Sequence, residues 1–184
     1  MKLRKGSHDA TCLTFGSVAS TFNKSVTSRL LAECVKALTE AGATDEAVEV
    51  VRVPGAFEIP LVARQLARSG RFHAVICLGA VIRGDTPHFE YISRVVSEGI
   101  LQASMESAVP VVFGVLTTNT VAQAIERADP AKLNRGADAA VTAIEMANVM
   151  RILGKERNGE IPPPSGAVPR LTGRVSARRK RGPA

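Results

Sequence analysis

Short runs of β-branched and other apolar residues alternate along this chain with segments whose apolar residues recur at helical spacing, and this alternation restricts the fold more than any other feature. Runs at 12–18, 48–53, 74–78 and 110–116 read as strands. Each is followed by a helical pattern. Over 25–41 the apolar positions are Val26, Leu30, Cys34, Leu38 and Ala41, with Gly42 as the stop. The segment 58–67 tolerates Pro60 because it lies in the first turn. Over 88–105, Phe89, Ile92, Val96, Ile100 and Ala103 share one face. Two more helices fall at 121–128 and 137–153. The order β-α-β-α-β-α-β-α-α implies parallel strands joined by right-handed crossovers, hence a three-layer α/β sandwich. The run 74–78 is almost wholly apolar, as befits a strand covered on both faces. Four strands make a small sheet, so one flank is expected to need a partner subunit as cover.

The chain of 184 residues is 45% apolar and 22% charged, which supplies a real core and excludes wholesale disorder. The expected division is an N-terminal arm at 1–10, a domain at 11–154 and a tail at 155–184. No apolar stretch approaches the ~20 residues of a membrane span, and MKLRKGSHDA lacks the apolar core of a signal peptide. Cys12, Cys34 and Cys77 are odd in number, lack CxxC spacing and sit in apolar runs, which reads as reduced core thiols in a cytoplasmic protein. His8, His73 and His88 share no metal-ligand spacing. The net charge of +7 is uneven: 155–184 carries eight Lys/Arg against two Asp/Glu, a net +6, and 1–154 sixteen against fifteen, a net +1. That tail, rich in Pro, Gly and Arg, reads as disordered. Its basic run at 178–181 could touch nucleic-acid phosphates without sequence preference, although a solvated extension is the favoured reading.

Ligands of open parallel α/β sheets bind beyond the carboxyl ends of the strands. There the chain offers ASTFN (19–23), VPGAFEIP (53–60), GAVIRGDTPHFEYI (79–92) and LTTNT (116–120). Phe22 is either a stacking surface for a flat ring, worth ~0.5–1.5 kcal/mol beyond burial, or an ordinary core or interface aromatic. Glu58 is either a cap on the helix it opens or an acceptor for ligand hydroxyls. In the turn 83–88, Gly84 permits tight or left-handed backbone, Asp85 or Thr86 can N-cap the next helix, and Pro87 suits its first position. Exposed N–H groups at such a terminus cradle phosphate, but without the Walker spacing the motif is weak by itself. His88 is either a surface residue or a general acid/base, since imidazole exchanges protons near neutral pH. Arg127 is either a last-turn cation facing the helix dipole or a fixed partner for phosphate, and Arg135 admits the same two readings.

VPGAFEIP, GAVIRGDTPHFEYI, VVFGVLTTNT, AIERA and NRGADAA with TAIEMANV, in order and with matching gaps over 11–153, closely resemble the lumazine synthase family. The resemblance implies a flavodoxin-like fold with a four-stranded parallel sheet. It implies condensation of 5-amino-6-(D-ribitylamino)uracil with 3,4-dihydroxy-2-butanone 4-phosphate to 6,7-dimethyl-8-ribityllumazine, phosphate and water, in riboflavin biosynthesis. No metal or organic cofactor would be required. Active sites would lie between subunits of a homopentamer, twelve of which form an icosahedral shell in some members, with a functional link to riboflavin synthase. Carried over position by position, Phe22 would stack on the pyrimidinedione. Ala56, Phe57 and Glu58 would hold the ribityl chain. Ala80, Val81 and Ile82 would present backbone groups to the ring's polar edge. Asp85 and Thr86 would cradle the phosphate, assisted by Arg127 of the adjacent subunit, whose Phe113 would close the ring pocket. His88 would relay protons.

The chain departs from the family at Thr21, where Arg or Glu is frequent, and at Arg135, where Lys is usual. ADPAKLNRG replaces the glycine-rich connection common in shell-forming members. The nearest rival is an archaeal-type riboflavin synthase, which dismutates two lumazines; GDTPH and Arg127 favour a phosphorylated substrate instead. A non-catalytic flavin-binding or shell subunit would have lost site residues, yet Phe22, Glu58, His88 and Arg127 are all present.

Overall fold

A computed structural model describes residues 1 and 3–158. The expected alternation is borne out: β1 (Phe15–Ser20), α1 (Lys24–Glu40), β2 (Val48–Val53), α2 (Ile59–Arg68), β3 (Ala74–Ile82), α3 (His88–Ser107), β4 (Val111–Thr118), α4 (Val121–Ala128) and α5 (Arg135–Asn158). The four strands form one parallel sheet in the order β2-β1-β3-β4, so the chain folds as a flavodoxin-like α/β sandwich. The first two-thirds of the chain thus set two strands inside and two at the edges.

Side chains alternate along the strands, and the two faces of the sheet bury separate cores. Ala74, Ile76, Leu78 and Ala80 of β3 join Phe15 and Ala19 of β1 with Leu30, Cys34 and Leu38 of α1 and Ala140, Ile144 and Ala147 of α5. Val75, Cys77 and Val81 point the other way, onto Ile59, Ala63 and Leu66 of α2 and Val96 and Ile100 of α3. Burial pushes the Cys34 thiol up to about 12 and raises that of Cys77 as well, leaving both protonated and inert.

Several local expectations are corrected. β1 begins at Phe15, not at residue 12, because Cys12 takes φ 62° in a turn. Cys12 is consequently exposed and is no core thiol. β3 continues past residue 78 to Ile82 because β4 pairs with it up to Ile82↔Thr118. Pro87 occupies the N-cap of α3, one place earlier than the first helical position, and neither Asp85 nor Thr86 caps the helix. Gly84 is not left-handed, so of the two conformations it permits the left-handed one is not used. α5 starts at Arg135 and runs beyond Gly154 to Asn158. The disorder and nucleic-acid readings of the tail fall on 159–184 and lie outside the described residues, apart from that last helical stretch.

Candidate active site

β1 delivers the chain into 21–23, and this loop is pinned on two sides. The Thr21 and Phe22 N–H groups donate to the carbonyls of Val53 (2.8 Å) and Pro54 (3.0 Å). Thr21 Oγ1 donates to the same two carbonyls. Asn23 sits at φ 57°, a left-handed conformation that Asn tolerates better than most residues, and its Nδ2 donates to the Ala80 carbonyl at 3.0 Å. The Phe22 ring, by contrast, is 70% exposed. A fixed backbone holding a bare aromatic in solvent is a ready stacking surface.

The loop after β2 is closed from within. Glu58 N-caps α2 in position but makes no side-chain cap bond; its Oε2 instead accepts from the Gly55 N–H at 2.9 Å. The expected cap is therefore replaced by a loop clasp, and a carboxylate with about four lone-pair directions keeps acceptor capacity for a ligand. Ala56 is buried beneath the loop and Phe57 is exposed above it.

β3 outruns β1. The β1–β3 ladder stops at Ala19↔Leu78, whereas Ala80, Val81 and Ile82 remain paired with β4. Peptide groups in a strand face its two neighbours alternately, so Ala80 and Ile82 turn toward the side that β1 has vacated. Asn23 takes the Ala80 carbonyl there. Beyond Ile82, residues 83–88 are exposed. The first turn of α3 lacks a side-chain cap, and uncapped N–H groups at the positive end of a helix dipole favour an anion. Asp85, Thr86 and His88 all belong to this turn and its helical continuation.

Phe113 and Arg127 stand elsewhere. β4 is an edge strand, and Phe113 pairs in register with Cys77, three residues before Ala80. At ~3.3 Å per residue that is roughly 10 Å back along the sheet. Phe113 and Arg127 line an open cavity of about 570 Å³ with Arg135, Asp138, Thr142 and Met146, and its walls include none of Phe22, Phe57, Glu58, Asp85, Thr86 and His88. Arg127 donates to the Gln123 carbonyl of its own helix at 3.2 Å, so its dipole-facing reading describes the isolated chain. Arg135 Nη1 donates to Asp138 Oδ2 at 2.7 Å. The chain thus gathers ten of the twelve sequence-expected residues at the carboxyl end of its sheet and holds the other two on its flank.

The sequence reading did not single out Asn23, and it left Arg83 and Arg135 without an assigned role. An Asn directly before a helix pattern was a usable signal for a left-handed cap. For the contacts of Arg83 with Thr118 and Asn119, which are distant in sequence, there was none. Among the described residues no cluster of three or more His, Cys, Asp or Glu is arranged to hold a metal ion, and no helix is long and apolar enough to cross a membrane.

Residues 12–151 match the sequence model of a family described as 6,7-dimethyl-8-ribityllumazine synthase. The chain is also 58% identical, over 139 residues, to a protein of Syntrophus aciditrophicus (strain SB) named 6,7-dimethyl-8-ribityllumazine synthase. That alignment spans 76% of this chain and 90% of the relative.

Proposed function

We propose that this chain, which belongs to the 6,7-dimethyl-8-ribityllumazine synthase family, is the transferase of riboflavin biosynthesis that condenses 5-amino-6-(D-ribitylamino)uracil with 3,4-dihydroxy-2-butanone 4-phosphate. The products are 6,7-dimethyl-8-ribityllumazine, phosphate and water. The observation that carries the reading is the shared sheet edge of an exposed Phe22 ring, the overhanging backbone of β3 and an uncapped α3 terminus that begins with His88. A flat polar heterocycle suits the first two and a phosphate the third.

In this reading Phe22 stacks on the pyrimidinedione, and Ala80, Val81 and Ile82 meet its polar edge. Glu58 accepts from ribityl hydroxyls between Ala56 and Phe57. Asp85 and Thr86 frame the phosphate. The amine of the uracil attacks the ketone and loses water to give an imine; phosphate leaves, and the ring closes with loss of water. His88 carries protons between these stages. Holding two substrates in contact supplies much of the rate. Phe113 and Arg127 complete the site from an adjoining subunit of a homopentamer. Support for that comes from the place of Phe113 on the edge strand β4 and of Arg127 near the end of α4, lining one cavity away from the other ten residues. The free cysteines suit a cytoplasmic enzyme.

Mixing the full chain with both substrates tests the reading by absorbance of the lumazine and by released phosphate. Equimolar lumazine and phosphate are expected, from a particle of five times 19.4 kDa or a multiple of that pentamer. Absence of lumazine above the uncatalysed rate overturns the assignment, and riboflavin formed from lumazine alone replaces it with a dismutase.

A further inference from the structure

The turn 84–87 is lightly held: it is exposed, a side chain at Gly84 would meet open space, and neither Asp85 nor Thr86 caps α3. Exposed glycine-containing turns ordinarily sample many conformations, yet an anion site requires its N–H groups in one. The residue just ahead of the turn supplies what the turn lacks. The Arg83 N–H donates to the Thr118 carbonyl at 2.9 Å, tying the chain to the end of β4. Its Nε donates to Asn119 Oδ1 at 3.0 Å. Its Nη1 forms a short ion pair with Glu90, and its guanidinium lies 4.4 Å from the centroid of the Phe89 ring. One residue therefore grips both sides of the turn: its backbone N–H holds Thr118, and its planar cation holds Asn119 on that side and Phe89 and Glu90 beyond the turn.

The anchor is itself rigid. The Asn119 N–H donates to Gln123 Oε1 at 2.9 Å, and the Gln123 N–H donates to Thr120 Oγ1 at 3.2 Å, a reciprocal cap at the start of α4. The ion pair has a second effect. Glu90 is an acidic residue in the first turn of α3, where it would repel an incoming phosphate, and the guanidinium offsets that charge.

We propose that Arg83 is a positioning residue that holds the turn 84–87 and the start of α3 in the one arrangement that receives the phosphate of the four-carbon substrate. This rests on the function proposed above. Arg83 acts through Asn119, Phe89 and Glu90. Lysine would replace it only in part, because a single ammonium keeps the charge but lacks the planar fork that serves Asn119 and Glu90 while lying over a ring.

Arg71 provides a matched control at the opposite end of the sheet. It also pairs with a carboxylate, Glu49, and lies over a ring, Phe72, at 4.6 Å. The experiment compares wild type, Arg83→Ala, Arg83→Lys and Arg71→Ala by steady-state kinetics in each substrate, by calorimetric titration with inorganic phosphate, and by thermal melting. Arg83→Ala is expected to lose between about tenfold and 10²-fold in kcat/KM for the phosphate-bearing substrate, the size of a misplaced reacting group. Its KM for the pyrimidine should stay within about twofold, its phosphate binding should weaken in parallel, and Arg83→Lys should fall between it and wild type. Arg71→Ala should change neither kinetics nor phosphate binding. Equal rises in both Michaelis constants, or losses in Arg71→Ala as large as in Arg83→Ala, would overturn the inference. A wild type that binds phosphate through Arg83 but forms no lumazine would sink the functional reading and spare the positioning role; one that forms lumazine regardless of Arg83 would do the reverse.

Discussion

His88 opens α3 with its ring in solvent and no hydrogen-bond partner among the described residues. A proton carrier so placed is free to meet substrate, and its removal costs proton transfer but leaves the juxtaposition of the two substrates intact. His88→Ala should therefore slow turnover by about 10²-fold or less. Arg127→Ala should chiefly raise KM for the phosphate substrate, because it removes a charged hydrogen bond worth ~1.5–3 kcal/mol. Steady-state kinetics check both; an unaltered kcat in the first or an unaltered KM in the second removes that residue from the mechanism. Local spacing was sufficient to place Phe22, Glu58 and His88 beyond the carboxyl ends of β1, β2 and β3, since each follows an apolar run. It could not reveal that Glu58 clasps Gly55 instead of capping α2, nor that Arg83 reaches Asn119, 36 positions away. Such pairings are made by the fold, and nothing in the flanking residues announces them.

At the scale of elements, the same division holds. Apolar periodicity located every strand and α-helix among the described residues, but not the short 3-10 turn at Asp45–Ala47, and ends depended on neighbours: β3 extends through Gly79 because β4 continues to pair with it, and 12–14 leave β1 because Cys12 turns. The amino ends of β1 and β3 are joined by a contact that titrates. His73 donates its N–H to the Thr14 carbonyl (2.8 Å), and its Nδ1 accepts from the Thr14 N–H at 3.0 Å and lies 2.9 Å from Thr14 Oγ1. Burial, then the charge of Arg151, lowers its pKa below the ordinary 6.5. A His held neutral in the fold contributes stability above the unfolded value and loses that contribution as pH falls toward the folded one. Melting temperature should thus decline as pH drops below about 6.5, and more steeply than in His73→Gln, whose amide does not titrate. Parallel slopes for the two proteins would show that this junction does not sense acid.

The surface of the whole molecule carries exposed apolar groups and an open sheet edge. Leu61 of α2 and Tyr91, Leu101 and Met105 of α3 are exposed on adjacent helices, and β4 leaves one sheet edge unpaired. Apolar groups on this scale ordinarily meet another chain. The count of four strands was legible in the sequence, whereas the separation of Phe113 and Arg127, on the β4 flank, from the residues at the sheet mouth required the strand register. If His88 and Arg127 serve one site from two protomers, each can be intact in a different chain. The direct measurement is the activity, with the phosphate substrate held well below the KM of Arg127→Ala, of assemblies formed from equal amounts of His88→Ala and Arg127→Ala. In a closed ring with random mixing, about a quarter of the interfaces join an intact His88 to an intact Arg127, so activity should rise well above the mean of the two pure variants, toward that fraction of wild type. Activity equal to that mean would show that the two residues do not meet across a subunit boundary, and would contradict the account.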